Sequence, residues 1–152
     1  MLRLGLTREP RWLDLARGVR VKVRPYSTVV KMMAQTDSDL RAVASGDAAD
    51  DDPGALARLS MASSVAIARA AILEWEGVGD EDGTPVPPTP EWVARLMDED
   101  DIHEAFNLAY LAPAMRVEQE KNGFAPLPNG TSAGAPTTAA PAKARAQSAR
   151  RH

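Results

Sequence analysis

The 152-residue sequence contains no cysteine, which excludes disulfides, thiolate zinc sites and cysteine nucleophiles together. Aromatic residues make up only 5% of the chain, and only Ile67, Ile72 and Ile102 are isoleucine. A core is still within reach, because 44% of the residues are hydrophobic. Many of those are alanine, so closely spaced helices are expected rather than bulky strands. No apolar run approaches the roughly 18 residues that a spanning helix requires. The opening stretch from Met1 to Pro10 is too short and too charged for a secretory h-region. A soluble protein of the cytoplasm is the expectation. Imidazoles are scarce as well, with His103 and the terminal His152 alone.

Acidic residues are absent from the last part of the chain, and the net charge of -3 hides that segregation. The first 31 residues are strongly basic, with Glu9 and Asp14 as their only acids. Residues 32–120 are strongly acidic, and residues 121–152 carry Lys121, Lys143, Arg145, Arg150 and Arg151 against no acid. An acidic body between basic ends makes local surface fields more informative than net charge.

What is present reads as an α+β chain, mainly α: a short N-terminal antiparallel β-ribbon, a four-helix body and a C-terminal tail. Residues 1–121 are expected to form one folded domain, with the ribbon at 1–24 and the helical body at 25–121. Leu2, Leu4 and Leu6 alternate with polar or small residues, and Val19, Val21 and Val23 alternate with Arg20, Lys22 and Arg24. Period two of this kind predicts half-buried strands with a solvated basic face. Gly18 supplies a turn between them. One helix is predicted from Tyr26 to about Ala44, with Val29, Met33, Leu40 and Ala44 inward. A second runs from Ala55 to Trp75, where Met61, Val65, Ala68, Ile72 and Trp75 recur every three or four residues and Arg58, Arg69 and Glu76 share a narrow polar stripe. Thr89 as N-cap and Pro90 at the first helical position open a third, ending near Asp98. The last runs from Asp101 to Glu120, with Ile102, Phe106, Ala109, Pro113 and Val117 inward and Pro113 kinking or restarting it. Residues 122–152, rich in Ala, Pro and Gly, are expected to be disordered, since they offer too little apolar surface to offset the entropy of ordering.

The candidate chemical motifs each have a simpler reading. Asp50-Asp51-Asp52 and Asp98-Glu99-Asp100-Asp101 lack the alternating ligands and closing Glu of a calcium loop, and they flank helix starts where carboxylates suit the dipole. The contiguous acids of Gly79-Asp80-Glu81-Asp82-Gly83 read as a turn. His103 is read as an exposed histidine, and Ser60, Ser63 and Ser64 as small packing residues, because no nucleophile elbow or converging triad is visible. Trp75 and Trp92 are expected in the core, as is Trp12, where stacking on a base is the alternative. No catalytic, cofactor-binding or metal-ligating residue is assigned, so a non-enzymatic protein is expected. Partner-binding residues are left unassigned.

One resemblance emerges from the order of these segments. Trp12-Leu13-Asp14-Leu15, Gly18-Val19-Arg20-Val21, Arg24-Pro25, a helical stretch, Trp75-Glu76-Gly77-Val78 and the continuation Asp82-Gly83-Thr84-Pro85-Val86-Pro87-Pro88-Thr89-Pro90-Glu91 resemble tail assembly chaperones of long-tailed bacteriophages and prophages. Glu120-Lys121-Asn122-Gly123 and the stretch from Pro128 to Gly134 are similar to the low-complexity ends of such proteins, so the likeness spans about residues 10–134. The basic segment after Lys143 has no counterpart in it. The resemblance implies a protein of the bacterial host cytoplasm that binds the tape-measure protein and keeps it soluble until the tail tube polymerises, with the major tail protein as a further candidate partner. It implies neither cofactor nor catalytic residue. Two other readings stay open: a virion component such as a connector or minor tail protein, and a small nucleic-acid-binding module using the basic ends. Nucleic acid is the less favoured partner.

Overall fold

The computed structural model describes residues 9–46 and 52–123. The strand expected at Leu2–Leu6 and nearly all of the expected disordered tail lie outside the described residues. The chain is mainly helical with a small antiparallel sheet, as the composition and periodicity imply. The sheet comprises β1 (Arg11–Asp14), β2 (Arg20–Val23) and β3 (Ile72–Glu76), in that order, with β2 in the centre. The helices are α1 (Thr28–Gln35), α2 (Ser38–Ser45), α3 (Pro53–Ala71), α4 (Pro90–Met97), α5 (Asp100–Phe106) and α6 (Ala112–Gly123), the last two joined by a π turn at Asn107–Leu111.

The ribbon differs from its expected form in two ways. Trp12 to Asp14 is strand rather than connection; the turn does fall at Gly18 as expected, within Ala16–Gly18, where Gly18 (φ 76°) is joined by Arg17 (φ 54°) in a left-handed conformation. The third strand comes from residues expected to close the helix from Ala55 to Trp75. Ile72 and Trp75 continue the helical spacing of Val65 and Ala68, so that period does not separate the two outcomes. Cross-strand pairing does: Arg20 lies opposite Glu76 and Lys22 opposite Glu74, while Asp14 flanks Arg20 on the other side. Opposite charges facing each other across a sheet favour this register, and Ile and Trp suit a pleated surface. Helix passes into strand without a loop, since the Ile72 amide still donates to the Ala68 carbonyl.

The stretch expected as one helix, Tyr26–Ala44, is two. Asp37 caps α2 by accepting hydrogen bonds from the Asp39 and Leu40 amides, at 3.0 and 3.1 Å. The Thr36 hydroxyl donates to the Met33 carbonyl at the end of α1. Such side-chain bonds to local backbone compete with helix continuation, and among the described residues the body therefore has five helical rods instead of four. In the last rod, Pro113 has no N–H to donate, and the helix widens ahead of it, the Ala112 amide bonding to the Asn107 carbonyl five residues back. The wider turn changes which face points inward. Ile102, Phe106 and Tyr110 are buried, whereas Pro113 and Val117, expected inside, are exposed.

The core joins Val21 and Val23 of the sheet to Val30 and Ala34 of α1, the alanines of the second half of α3, Val93 and Met97 of α4, and the Ile102–Phe106–Tyr110 row. Alanine lets α1, α2 and α4 all approach α3 closely. Burial along α3 is uneven: Ala66, Ala68, Ala70 and Ala71 are buried, but Leu56, Leu59 and Met61 are exposed. Enclosure of α3 is therefore confined to its second half.

Candidate interaction surfaces

The residues of types suited to chemistry are mostly engaged in local structure. Asp52 accepts from the Gly54 amide at the start of α3 and pairs with Arg58. The Asp80 carboxylate accepts from the amides of Asp82 and Thr84, 3.0 and 2.9 Å away. That bond set makes the acidic loop a turn, closed by a bridge between Gly79 and Pro85. Glu99 and Asp101 both accept from Arg17, at 2.8 Å each, which fastens the β1–β2 turn to the start of α5. These bonds hold the Arg17 guanidinium above its ordinary pKa, that to Glu99 first, against the opposing effect of desolvation.

His103 is half-buried rather than exposed, with Nδ1 3.1 Å from the Met97 carbonyl. The Ser63 hydroxyl donates to the Leu59 carbonyl, and Ser64 is buried in the packing face of α3. Trp75 and Trp92 are half-buried, not enclosed. Trp75 packs on the core's edge and donates its indole N–H to the Val86 carbonyl at 2.6 Å, shaping an open cavity of about 640 Å³ over the 77–86 loop. Trp92 carries the Arg95 guanidinium 5.0 Å from its ring centroid, and Trp12 likewise carries Arg20 at 5.3 Å. Two rings expected in the core are therefore amphipathic surface platforms covered by their own cations.

On the basic face of the ribbon, Arg20 and Lys22 are paired within the sheet. Arg20 pairs with Asp14 and Glu76, Lys22 with Glu74, and the Arg24 side chain donates to the Ala70 carbonyl. A further ion pair has no signature in linear spacing. Arg69, placed by periodicity on a solvated stripe, is only 16% exposed and bonds both Asp37 and Asp39, at 2.9 and 2.8 Å, as well as the Pro90 carbonyl. Desolvation opposes the charge on Asp37, but the bond from Arg69 and those from the Leu40 and Asp39 amides outweigh it and hold the carboxyl below its usual range. One guanidinium thus ties together α2, α3 and the start of α4.

Two surfaces remain unsatisfied. The first is apolar. On α1, Val29, Met32 and Met33 are 64%, 61% and 41% exposed; on α3, Leu56 is 75% exposed, with Leu59 and Met61 also outward. Positions i, i+3 and i+4 share a helix face, so α1 presents a continuous outer apolar stripe opposite its buried Val30 and Ala34. The second is an open cavity of about 440 Å³ between α1 and α6, walled by Arg11, Tyr26, Lys31, Tyr110, Val117 and Lys121 among others. Tyr110 is 2% exposed, donates to the Arg24 carbonyl at 2.8 Å, and has its hydroxyl pKa pushed up to about 12 by burial. Sequence inspection missed both surfaces. Tyr110 was detectable as the i+4 successor of Ile102 and Phe106.

The fold and these surfaces define a small, mainly helical protein with a three-stranded sheet that leaves apolar helix faces uncovered. A family model described as YdaY prophage protein matches residues 27–124, and the chain belongs to that family. The matched span opens at Ser27, the N-cap of α1, and takes in the whole helical body with β3, leaving β1 and β2 outside it. Comparison with curated proteins and with solved structures gives no match.

Proposed function

We propose that this prophage-family protein is a non-enzymatic tail assembly chaperone, which holds the tape-measure protein soluble until tail-tube subunits polymerise around it. The observation that carries this reading is the exposure of large apolar side chains on two helices: Val29, Met32 and Met33 along one side of α1, and Leu56, Leu59 and Met61 in the first half of α3. The Val29–Met32–Met33 stripe is contiguous by helical spacing, and contiguous exposed apolar surface on a small protein marks a partner site. Methionine is the side chain suited to apolar partners of varied shape, being unbranched, flexible and polarizable. A long amphipathic helix can lay its apolar stripe on such a face, as in helix-in-groove recognition. The pairing within the sheet argues against a nucleic-acid module, because Arg20 and Lys22 already have carboxylate partners.

Co-expression tests the proposal. The protein should keep fragments of the tape-measure protein encoded beside it soluble, and should be absent from finished particles. Capture should survive moderate salt, since apolar burial drives it. Phosphate-driven binding would instead fall by about 10³–10⁵ between low and physiological salt if many contacts were made. Tight, salt-sensitive DNA binding without client capture would refute the chaperone reading, and persistence in purified particles would point to a virion component.

A further inference from the structure

The cavity between α1 and α6 has a charge that its own walls do not balance. Lys31 pairs with Glu118 across it. Among the described residues, Arg11 and Lys121 line the same cavity and form no ion pair. The walls of the cavity thus carry Arg11, Lys31 and Lys121 against Glu118 alone, a positive excess that an acidic group would complement.

The rest of the wall narrows its chemistry. Tyr26 meets the Tyr110 ring edge-on at 5.8 Å and carries the Lys31 ammonium 5.3 Å from its own centroid, while Tyr110 is buried with its hydroxyl bonded to Arg24. Tyr110 is thus closed to a base, and Tyr26 already has the Lys31 ammonium over its ring, which makes a poor platform for single-stranded nucleic acid. Pro25, Pro113 and Val117 add aliphatic surface, and the volume lies in the range of ligand-binding clefts, about 300–1,000 Å³. We propose that this cavity docks an acidic segment of a partner protein, one aliphatic side chain entering beside Val117 while flanking carboxylates pair with Arg11 and Lys121. The site is separate from the apolar side chains used in the chaperone reading and stands or falls independently of it.

A fluorescein-labelled peptide with glutamates flanking a central Leu-Leu pair, and its counterpart with glutamines, would be titrated against the full chain by anisotropy at low and physiological salt. The glutamate peptide should bind at least about tenfold more tightly, a difference that shrinks with salt as exposed charges are screened. Arg11→Glu with Lys121→Glu should abolish the preference, whereas Arg11→Lys with Lys121→Arg should keep it. Both side chains are exposed, so the variants should melt as the parent does, and Arg11→Gln supplies a milder test. Equal binding of the two peptides, or binding indifferent to charge reversal, would overturn the proposal. So would a single-stranded oligonucleotide that outcompetes the peptide. Self-association in the ultracentrifuge that is lost on charge reversal and not displaced by the peptide would assign the site to a second copy of the chain, and would overturn it too.

Discussion

At the scale of single residues, the tightest constraint is the approach of two turns. Gly77 has φ +79°, and a Cβ there would lie 2.7 Å from the Gly18 carbonyl oxygen, backbone that cannot swing aside. Gly83 has the same φ but open space around it. The pair separates conformational cost from steric cost. Gly83→Ala should lose only the price of a left-handed alanine, about 1 kcal/mol. Gly77→Ala should lose distinctly more, about 2–4 kcal/mol, because β3 must also move away from the β1–β2 turn. Chemical denaturation of the two variants checks this, and equal losses would show that the contact between the turns is slack. Glycine at 18 and 77 is visible in the sequence, but their meeting is not, since it depends on β3 lying beside β2.

Among the elements, what could be read in advance was whatever a local period or a cap encodes. The Val19–Val21–Val23 strand, the Thr89–Pro90 helix start and the existence of α3 follow from such signals. The break between α1 and α2, the conversion of Ile72–Glu76 to strand and the π turn before Pro113 do not, because each is settled by a competitor from elsewhere: a cap at Asp37, a cross-strand partner, a missing amide. Arg69 shows the same limit, its carboxylates lying thirty and more residues away. The sign of its pH effect can be stated. The Asp37 carboxyl has a lowered pKa in the fold, so the unfolded chain binds its proton more readily. The stabilisation is complete above the ordinary aspartate value of about 3.9, and it is lost as pH falls through the lower folded value. Arg69→Met should cost about 2–3 kcal/mol near neutral pH by leaving Asp37 with little solvent and no cation. It should also flatten the loss of stability below about pH 4. Denaturation curves at several acidic pH values test both; an unchanged acid slope would mean that Asp37 is not the responsible group.

For the whole molecule, burial is strongly asymmetric: the second half of α3 is enclosed by sheet and helices, while its first half and the outer side of α1 are left bare. Apolar side chains exposed to this extent stabilise little in the isolated fold, so their contribution must be sought in binding. The double variant Met32→Glu with Leu56→Glu separates the two roles, since these residues are 61% and 75% exposed. Its stability should stay within about 0.5 kcal/mol of the parent, as for ordinary surface changes. Retention of tape-measure fragments should fall by at least about tenfold, because two carboxylates would be desolvated against an apolar helix. Met115→Glu, on α6 and 56% exposed, is the control that places the same charge on a different face and should leave retention intact. A pull-down of client fragments beside a thermal melt reads all three proteins at once. Retention unaffected by the double variant, or reduced equally by Met115→Glu, would remove the exposed sides of α1 and α3 as the client site and leave their methionines without a role in assembly.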